Sequence, residues 1–168
     1  RLQTLRAIEL EHMDLCPTSC TIHIQKVLKT TKPGRHIKPI VFQRYTIANL
    51  CIVQHLLRYC DLTAPLRPQS GCGQLLISYR KPHAPVVEDT LSRWIKSVMA
   101  AVGINTAVFA AHSTRSAATS AAARHGAPLD VILQAGNWQH AGTFAKFYNR
   151  DISTGPDSSF PEAVLHSV

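Results

Sequence analysis

The sharpest chemical feature of the chain is His112-Ser113-Thr114-Arg115, an imidazole and a guanidinium three positions apart. On a helix such residues share a face, so the two groups point the same way. They stand at the head of an Ala-rich run, Ser113 to Arg124. Small side chains there allow close approach, and a helix N-terminus favours anionic oxygens. The spacing alone also fits an ordinary surface pair. Trp138 follows downstream, and Tyr148 lies ten residues beyond it; Arg1 and a lysine-bearing turn lie upstream. Ser113, Thr114, Thr119 and Ser120 offer hydroxyls, but no acid–base partner chain accompanies them, which argues against a serine hydrolase. Cys16-x-x-x-Cys20 followed by His23 suggests zinc, yet the second ligand pair of a structural site is missing, so no metal is expected. The five cysteines, an odd number, read as reduced thiols that pack as small hydrophobes.

Charge narrows the partner. The chain has 168 residues with 18 Lys+Arg against 10 Asp+Glu, a net charge of +8. From Leu15 to Val87 ten basic residues face one acid, Asp61. The ten are Lys26, Lys29, Lys32, Arg35, Lys38, Arg44, Arg58, Arg67, Arg80 and Lys81, and the first five fall in one predicted hairpin. A solvated face normally mixes signs, so this stretch predicts a phosphate-contacting surface for a nucleic acid or another anionic partner, with Lys26, Lys32, Arg35, Lys38, Arg80 and Lys81 as candidate contacts. Such contacts supply affinity without identifying bases. No run approaches the roughly 18 apolar residues of a membrane helix.

The elements that must position these groups follow from periodicity. Leu2, Leu5, Ile8 and Leu10 predict a helix over Leu2 to Met13, ended by Cys16-Pro17. Ile22 and Ile24 alternate with His23 and Gln25, which is strand spacing. This strand and Ile37 to Phe42 form a hairpin with Pro33-Gly34 at its turn. Thr46 to Tyr59 reads as a helix with Ile47, Leu50, Cys51 and Gln54 on its inner face. A short strand is expected at Leu75 to Tyr79. A helix capped by Asp89 or Thr90 follows, with Leu91, Trp94, Ile95, Val98 and Met99 as its stripe and Gly103 as its stop. Ser113 to Arg124 is helical and stopped by Gly126; Pro128 opens a short helix through Leu133, and Thr143 to Tyr148 adds a further turn or two. The class is α+β, mainly α, with a small antiparallel β element. The tail from Asp151 reads as flexible apart from Phe160 to Leu165.

The order Arg, hairpin Lys, His-x-x-Arg, Trp, Tyr resembles the catalytic domain of tyrosine recombinases, the phage-integrase family. The wording is closest to the recombinases of DIRS/Ngaro-type retroelements. The pieces are Arg1-Leu-Gln-Thr-Leu5, Leu28-Lys-Thr-Thr-Lys-Pro-Gly34, Ile77-Ser-Tyr-Arg-Lys-Pro-His83, Ala111-His-Ser-Thr-Arg-Ser-Ala-Ala-Thr-Ser120 and Gly136 to Tyr148. The resemblance implies a helical recombinase-like domain over residues 1–152, with 153–168 as a tail. It implies DNA cleavage and rejoining through a 3′-phosphotyrosine. Tyr148 is then the nucleophile, Arg1 and Arg115 clamp the phosphate oxygens, and His112 assists proton transfer. Trp138 stands where many relatives have a histidine. Lys29 supplies the leaving group's proton, with Lys32 as second choice. Thr4 replaces an acid common in relatives.

The resemblance further implies no cofactor or metal, duplex DNA as partner, and a tetramer on DNA in which Phe160 to Leu165 passes to a neighbour. Nuclear location in a eukaryote, otherwise cytoplasmic, accompanies it. Because the sequence begins at Arg1, without the upstream clamping domain of relatives, little strand exchange is expected of it alone. The alternatives are a decayed or domesticated DNA-binding module and type IB topoisomerase-like activity.

Overall fold

The computed structural model describes residues 1–29, 31, 37–68, 71–136, 138 and 141–147, with only the backbone at 143 and 147. Expectations for Lys32, the Pro33-Gly34 turn, Arg35, Tyr148 and Phe160 to Leu165 lie outside the described residues. The chain divides into two compact units, Arg1–Ala111 and His112–Val168. Among the described residues no helix is long and apolar enough to cross a membrane.

The amino-terminal unit opens with helix α1 (Leu2–Arg6). The predicted helix through Met13 stops there because the next backbone groups are taken by another segment. Leu10 N–H donates to Gly73 O at 2.9 Å and Leu75 N–H to Ile8 O at 2.8 Å. With those groups committed sideways, the helical ladder cannot continue. The chain makes a single 3₁₀ turn at Leu10–His12 and then becomes strand β1 (Met13–Leu15), where a helix is expected from sequence.

β1 pairs antiparallel with β2 (Ser19–Ile22), and β2 pairs antiparallel with β3 (Ile40–Gln43), in the order β1-β2-β3. Met13 faces Ile22, and Cys20 faces Phe42. The hairpin pairing read from sequence is therefore present, although the connection between its strands is longer than a tight turn. Alternation on β2 is clean: Cys20 and Ile22 are buried, Ser19 and Thr21 are not.

Helix α2 (Ile52–Thr63) starts later than its sequence suggests. Ala48–Leu50 forms a 3₁₀ turn and Cys51 is extended at φ −80°, ψ 105°, which resets the helical phase. Ile47 and Leu50 consequently face solvent, and Val53, not Gln54, points inward. Cys20, Cys51 and Val53 form the centre of a core that includes Ile8, Ile22 and Leu75. Leu75 and Ile77 are buried in alternation as a strand would require, but their pairing is limited to single bridges, Glu9 with Gln74 and Ile77 with Pro85. Tyr59 Oη accepts from Ile77 N–H at 3.1 Å and ties this segment to α2.

Helix α3 (Glu88–Ala101) packs against α1 and begins one residue before Asp89, with Val87 in the cap position. Glu88 and Asp89 in its first turn meet the positive end of the helix dipole. Leu91 and Met99 are buried, whereas Val98, expected in the stripe, is exposed. Gly103 ends the helix at φ +82°, in the left-handed region.

The carboxy-terminal unit contains α4 (Ser113–Arg124), α5 (Leu129–Gly136) and α6 (Ala141–Phe147). α4 has the bounds that composition and Gly126 (φ +77°) predict. α5 runs three residues past Leu133. Ile132, Trp138 and Phe144 form the core, flanked by Ala122, Ala123, Ala127 and Leu133. The architecture is mainly α with a small antiparallel sheet, the class expected from sequence.

Candidate active site

α4 positions two of the candidate groups. His112 precedes it with helical dihedrals (φ −74°, ψ −13°) and accepts from Arg115 N–H at 3.1 Å. The helical phase thus extends to His112, and the one-turn relation to Arg115 holds. His112 is exposed and Arg115 is half-buried.

Arg115 is anchored by residues more than twenty positions downstream. Its guanidinium donates to the Gly136 carbonyl, and its Cζ lies 4.4 Å from the Trp138 ring centroid. Trp138 N–H donates to Leu133 O at 2.9 Å, and its ring leans on Phe144 at 5.7 Å between centroids, tilted 41°. Gly136 makes this possible: a Cβ there would collide with the Trp138 ring. The indole packs close to the bare backbone of Gly136, and the guanidinium lies over its ring within cation–π range. Trp138 therefore serves as a platform for Arg115, and Phe144 is a plain core aromatic. An anion approaching the N-terminus of α4 meets the helix dipole and a guanidinium fixed in orientation, with an imidazole one turn away.

Arg1 and Lys29 belong to the amino-terminal unit. Arg1 is the N-cap residue of α1, its carbonyl accepting from Thr4 and Leu5 N–H at 3.0 and 3.1 Å. Lys29 is exposed on a turn closed by Thr31 N–H to Leu28 O at 2.8 Å and by Leu28 N–H to Thr31 Oγ1 at 3.0 Å. A cavity of about 410 Å³ opens beside this turn, lined by Arg6, Lys26 and Lys29 together with Gln3 and Glu88. Arg6 is absent from the candidates drawn from sequence. The available signal is its helical phase, three positions after Gln3 on α1.

The other basic residues divide by what holds them. Lys26 Nζ is 2.7 Å from Glu9 Oε1, so part of its charge is spent inside the protein. Arg44 Nη1 donates to Pro17 O at 3.0 Å. Arg67 donates to Gln74 O at 2.7 Å, Leu75 O at 2.8 Å and Thr63 Oγ1 at 3.0 Å, and so fastens α2 to the segment that follows it. Lys38, Arg80 and Lys81 are exposed. A count of basic residues cannot separate such internal fasteners from cations offered to a partner.

Among the described residues, the metal-capable cluster is Glu9, Glu11 and His12 rather than the Cys16, Cys20 and His23 spacing. All five cysteines are free. Cys20 and Cys51 are buried as expected, but Cys16 is exposed. Ser19 and Thr18 hydroxyls hydrogen-bond its sulfur at 3.3 and 3.2 Å and lower its pKa to about 7. Burial pushes the Cys20 and Cys60 thiols up.

No protein-family model matches this chain, and no curated protein does. Among solved structures it is similar to the crystal structure of XerA recombinase, with a TM-score of 0.64 and 19% identity. The similarity covers 99% of this chain and 53% of that one, so the chain spans about half the length of that recombinase. Across nearly its whole length the chain has a recombinase fold.

Proposed function

We propose that the chain cleaves and rejoins duplex DNA through a covalent 3′-phosphotyrosine. Tyr148 Oη attacks phosphorus, the bond from phosphorus to the 5′-oxygen breaks, and Lys29 Nζ gives that oxygen a proton. Arg1 and Arg115 hold the non-bridging oxygens, on which negative charge grows as the nucleophile enters. Guanidinium suits this task because its planar fork stays charged and reaches two oxygens at once. The Tyr148 phenol proton leaves as Oη attacks, and His112, which donates to a phosphate oxygen, assists that proton's transfer to solvent. Rejoining reverses these steps with a new 5′-hydroxyl, and the energy kept in the covalent link removes any need for a nucleotide cofactor.

One observation carries this reading: Arg115 is seated on Trp138 at the head of α4, one turn from His112, in a chain with a recombinase fold. The motif wording supports reading the reaction as site-specific recombination that integrates a mobile element. A tetramer on DNA, acting in the nucleus of a eukaryotic host or the cytoplasm of a bacterial one, belongs to the same proposal. The test is a nicked suicide duplex that traps the covalent state. The full chain should give an SDS-resistant protein–DNA adduct that disappears in Tyr148→Phe and falls at least a hundredfold in Arg115→Ala, as expected for the loss of one charged donor. Salt-sensitive retention of DNA without any adduct would instead mark a non-catalytic DNA-binding module.

A further inference from the structure

The segment Ser78 to Ala84 is built more tightly than its exposure requires. Ser78 N–H donates to Ala84 O at 2.8 Å, which closes the loop at its base, and Ile77 bridges Pro85 just outside. Inside it, His83 N–H donates to Arg80 O at 2.8 Å and Arg80 N–H to Ser78 Oγ at 3.1 Å. His83 is 6% exposed, and its Nδ1 lies 3.0 Å from Ser78 O. It holds this place at φ +59°, a left-handed conformation that a non-glycine residue adopts at a cost. A buried imidazole in a strained backbone thus pins the loop from within.

The outer side of the loop has the opposite character. Tyr79, Arg80 and Lys81 are all exposed, Tyr79 at 69%. Arg80 Cζ lies 5.6 Å from the Tyr79 ring centroid, and that ring leans toward Trp94 of α3 at 6.5 Å. A guanidinium donates hydrogen bonds in its own plane and stacks through its faces. The Tyr79 ring therefore restrains Arg80 while leaving its donor edge able to meet a phosphate. An arginine held in this way loses less side-chain freedom on binding than one waving in solvent.

We propose that the Ser78–Ala84 loop is a preformed grip for a DNA backbone phosphate, with Arg80 as the contact and Tyr79 and His83 as positioning residues. The inference takes its partner, duplex DNA, from the function proposed above. It differs from a diffuse basic surface, in which only the charge of Arg80 matters.

The full chain, titrated with a fluorescein-labelled duplex over a series of NaCl concentrations, separates the two. Arg80→Ala should weaken binding and lower the salt slope by about one. Tyr79→Leu keeps every charge; it should leave the slope unchanged and weaken binding about two- to fivefold, the worth of an exposed cation–π pair. Arg80→Lys should behave like Tyr79→Leu, because charge remains but the stacked fork does not. The double variant Tyr79→Leu/Arg80→Ala should bind no worse than Arg80→Ala alone. His83→Gly, which keeps the positive φ and removes the imidazole, should match Tyr79→Leu. Tyr79 is exposed, so its substitution tests the idea even if His83→Gly fails to fold. Parental binding by Tyr79→Leu and Arg80→Lys, or additive losses in the double variant, would overturn the grip. The suicide-duplex adduct keeps the two proposals apart. An adduct with indifferent Arg80 and Tyr79 variants sinks the grip alone. Loop effects on binding without an adduct sink the catalytic reading alone.

Discussion

Trp138→Ala tests how the carboxy-terminal unit is held together. The indole is 9% exposed and packs with the Phe144 ring, the Arg115 guanidinium and the bare backbone of Gly136, within the core that includes Ile132 and Leu133. A buried tryptophan hides roughly 200 Å², which at about 25 cal/mol per Å² amounts to about 5 kcal/mol as an upper bound. Measured tryptophan-to-alanine losses of about 3–5 kcal/mol agree, and the lost cation–π contact adds roughly 1 kcal/mol. The remaining core of this unit, Ile132 and Phe144 with Leu133 and small alanines around them, has little with which to refill the space. We therefore expect a loss of about 4 kcal/mol, most of the stability available to a unit of this size at about 0.1 kcal/mol per residue. Urea unfolding followed by far-ultraviolet circular dichroism gives the magnitude. Amide hydrogen exchange with peptide resolution gives the location: α4, α5 and α6 should lose protection while α2 and α3 keep theirs. Trp138→Phe, which preserves an aromatic face for Arg115, should lose about 1–2 kcal/mol by the same reckoning of area. A loss below about 1 kcal/mol for Trp138→Ala, or lost protection spread evenly over both units, would refute the role assigned to this ring.

Four further outcomes are expected. Cys16 should be the first cysteine alkylated by iodoacetamide, with its rate rising as pH passes through about 7, as mass spectrometry of a pH series will read. Since its pKa is depressed from 9.0, its thiolate stabilises the fold above that value, and the gain disappears as pH falls through about 7. Gly126→Ala and Gly103→Ala should each lower stability by about 1–2 kcal/mol in thermal unfolding. A Cβ at either position meets nothing within 4 Å, so the cost is entirely backbone conformation. Gly142→Ala, in open space on α6, should instead raise stability by about 0.5–1 kcal/mol. Arg67→Lys should lose about 1.5–3 kcal/mol with DNA affinity nearly unchanged, because a lysine cannot reach three acceptors at once.

Legibility in the sequence followed the range of the controlling interaction. α4 has its predicted bounds because its Ala-rich composition favours helix, and Gly126 supplies the left-handed stop within the same local window. The first strand of the hairpin is less legible: the sequence alternates forward from Ile22 through Gln25, whereas β2 ends at Ile22 and alternates through Cys20. The stretch Leu2 to Met13 misleads because its helical spacing is real, yet Gly73 and Leu75 claim the backbone groups that a longer helix needs. α2 misleads more narrowly: one extended residue, Cys51, shifts the phase, so that Ile47 and Leu50 are exposed and Val53 replaces Gln54 inside, while Cys51 itself stays buried.

The candidate site divides along the same line. The His112 and Arg115 pair was readable from spacing, since helical periodicity relates residues three apart without help from the rest of the chain. Trp138 could be singled out by type, but its office as the seat of Arg115 could not. That contact joins residues over twenty positions apart and depends on a missing Cβ at Gly136. Arg67, read as one cation among ten, is a structural fastener, and Arg6 joins Lys26 and Lys29 around one cavity. Composition and periodicity settle which segments are helical and how much positive charge the chain bears, because those follow from local backbone preference and simple addition. Which guanidiniums are spent on carbonyls and which are seated for a partner is a matter of three-dimensional packing, because burial and distance between remote side chains exist only once the chain has closed on itself.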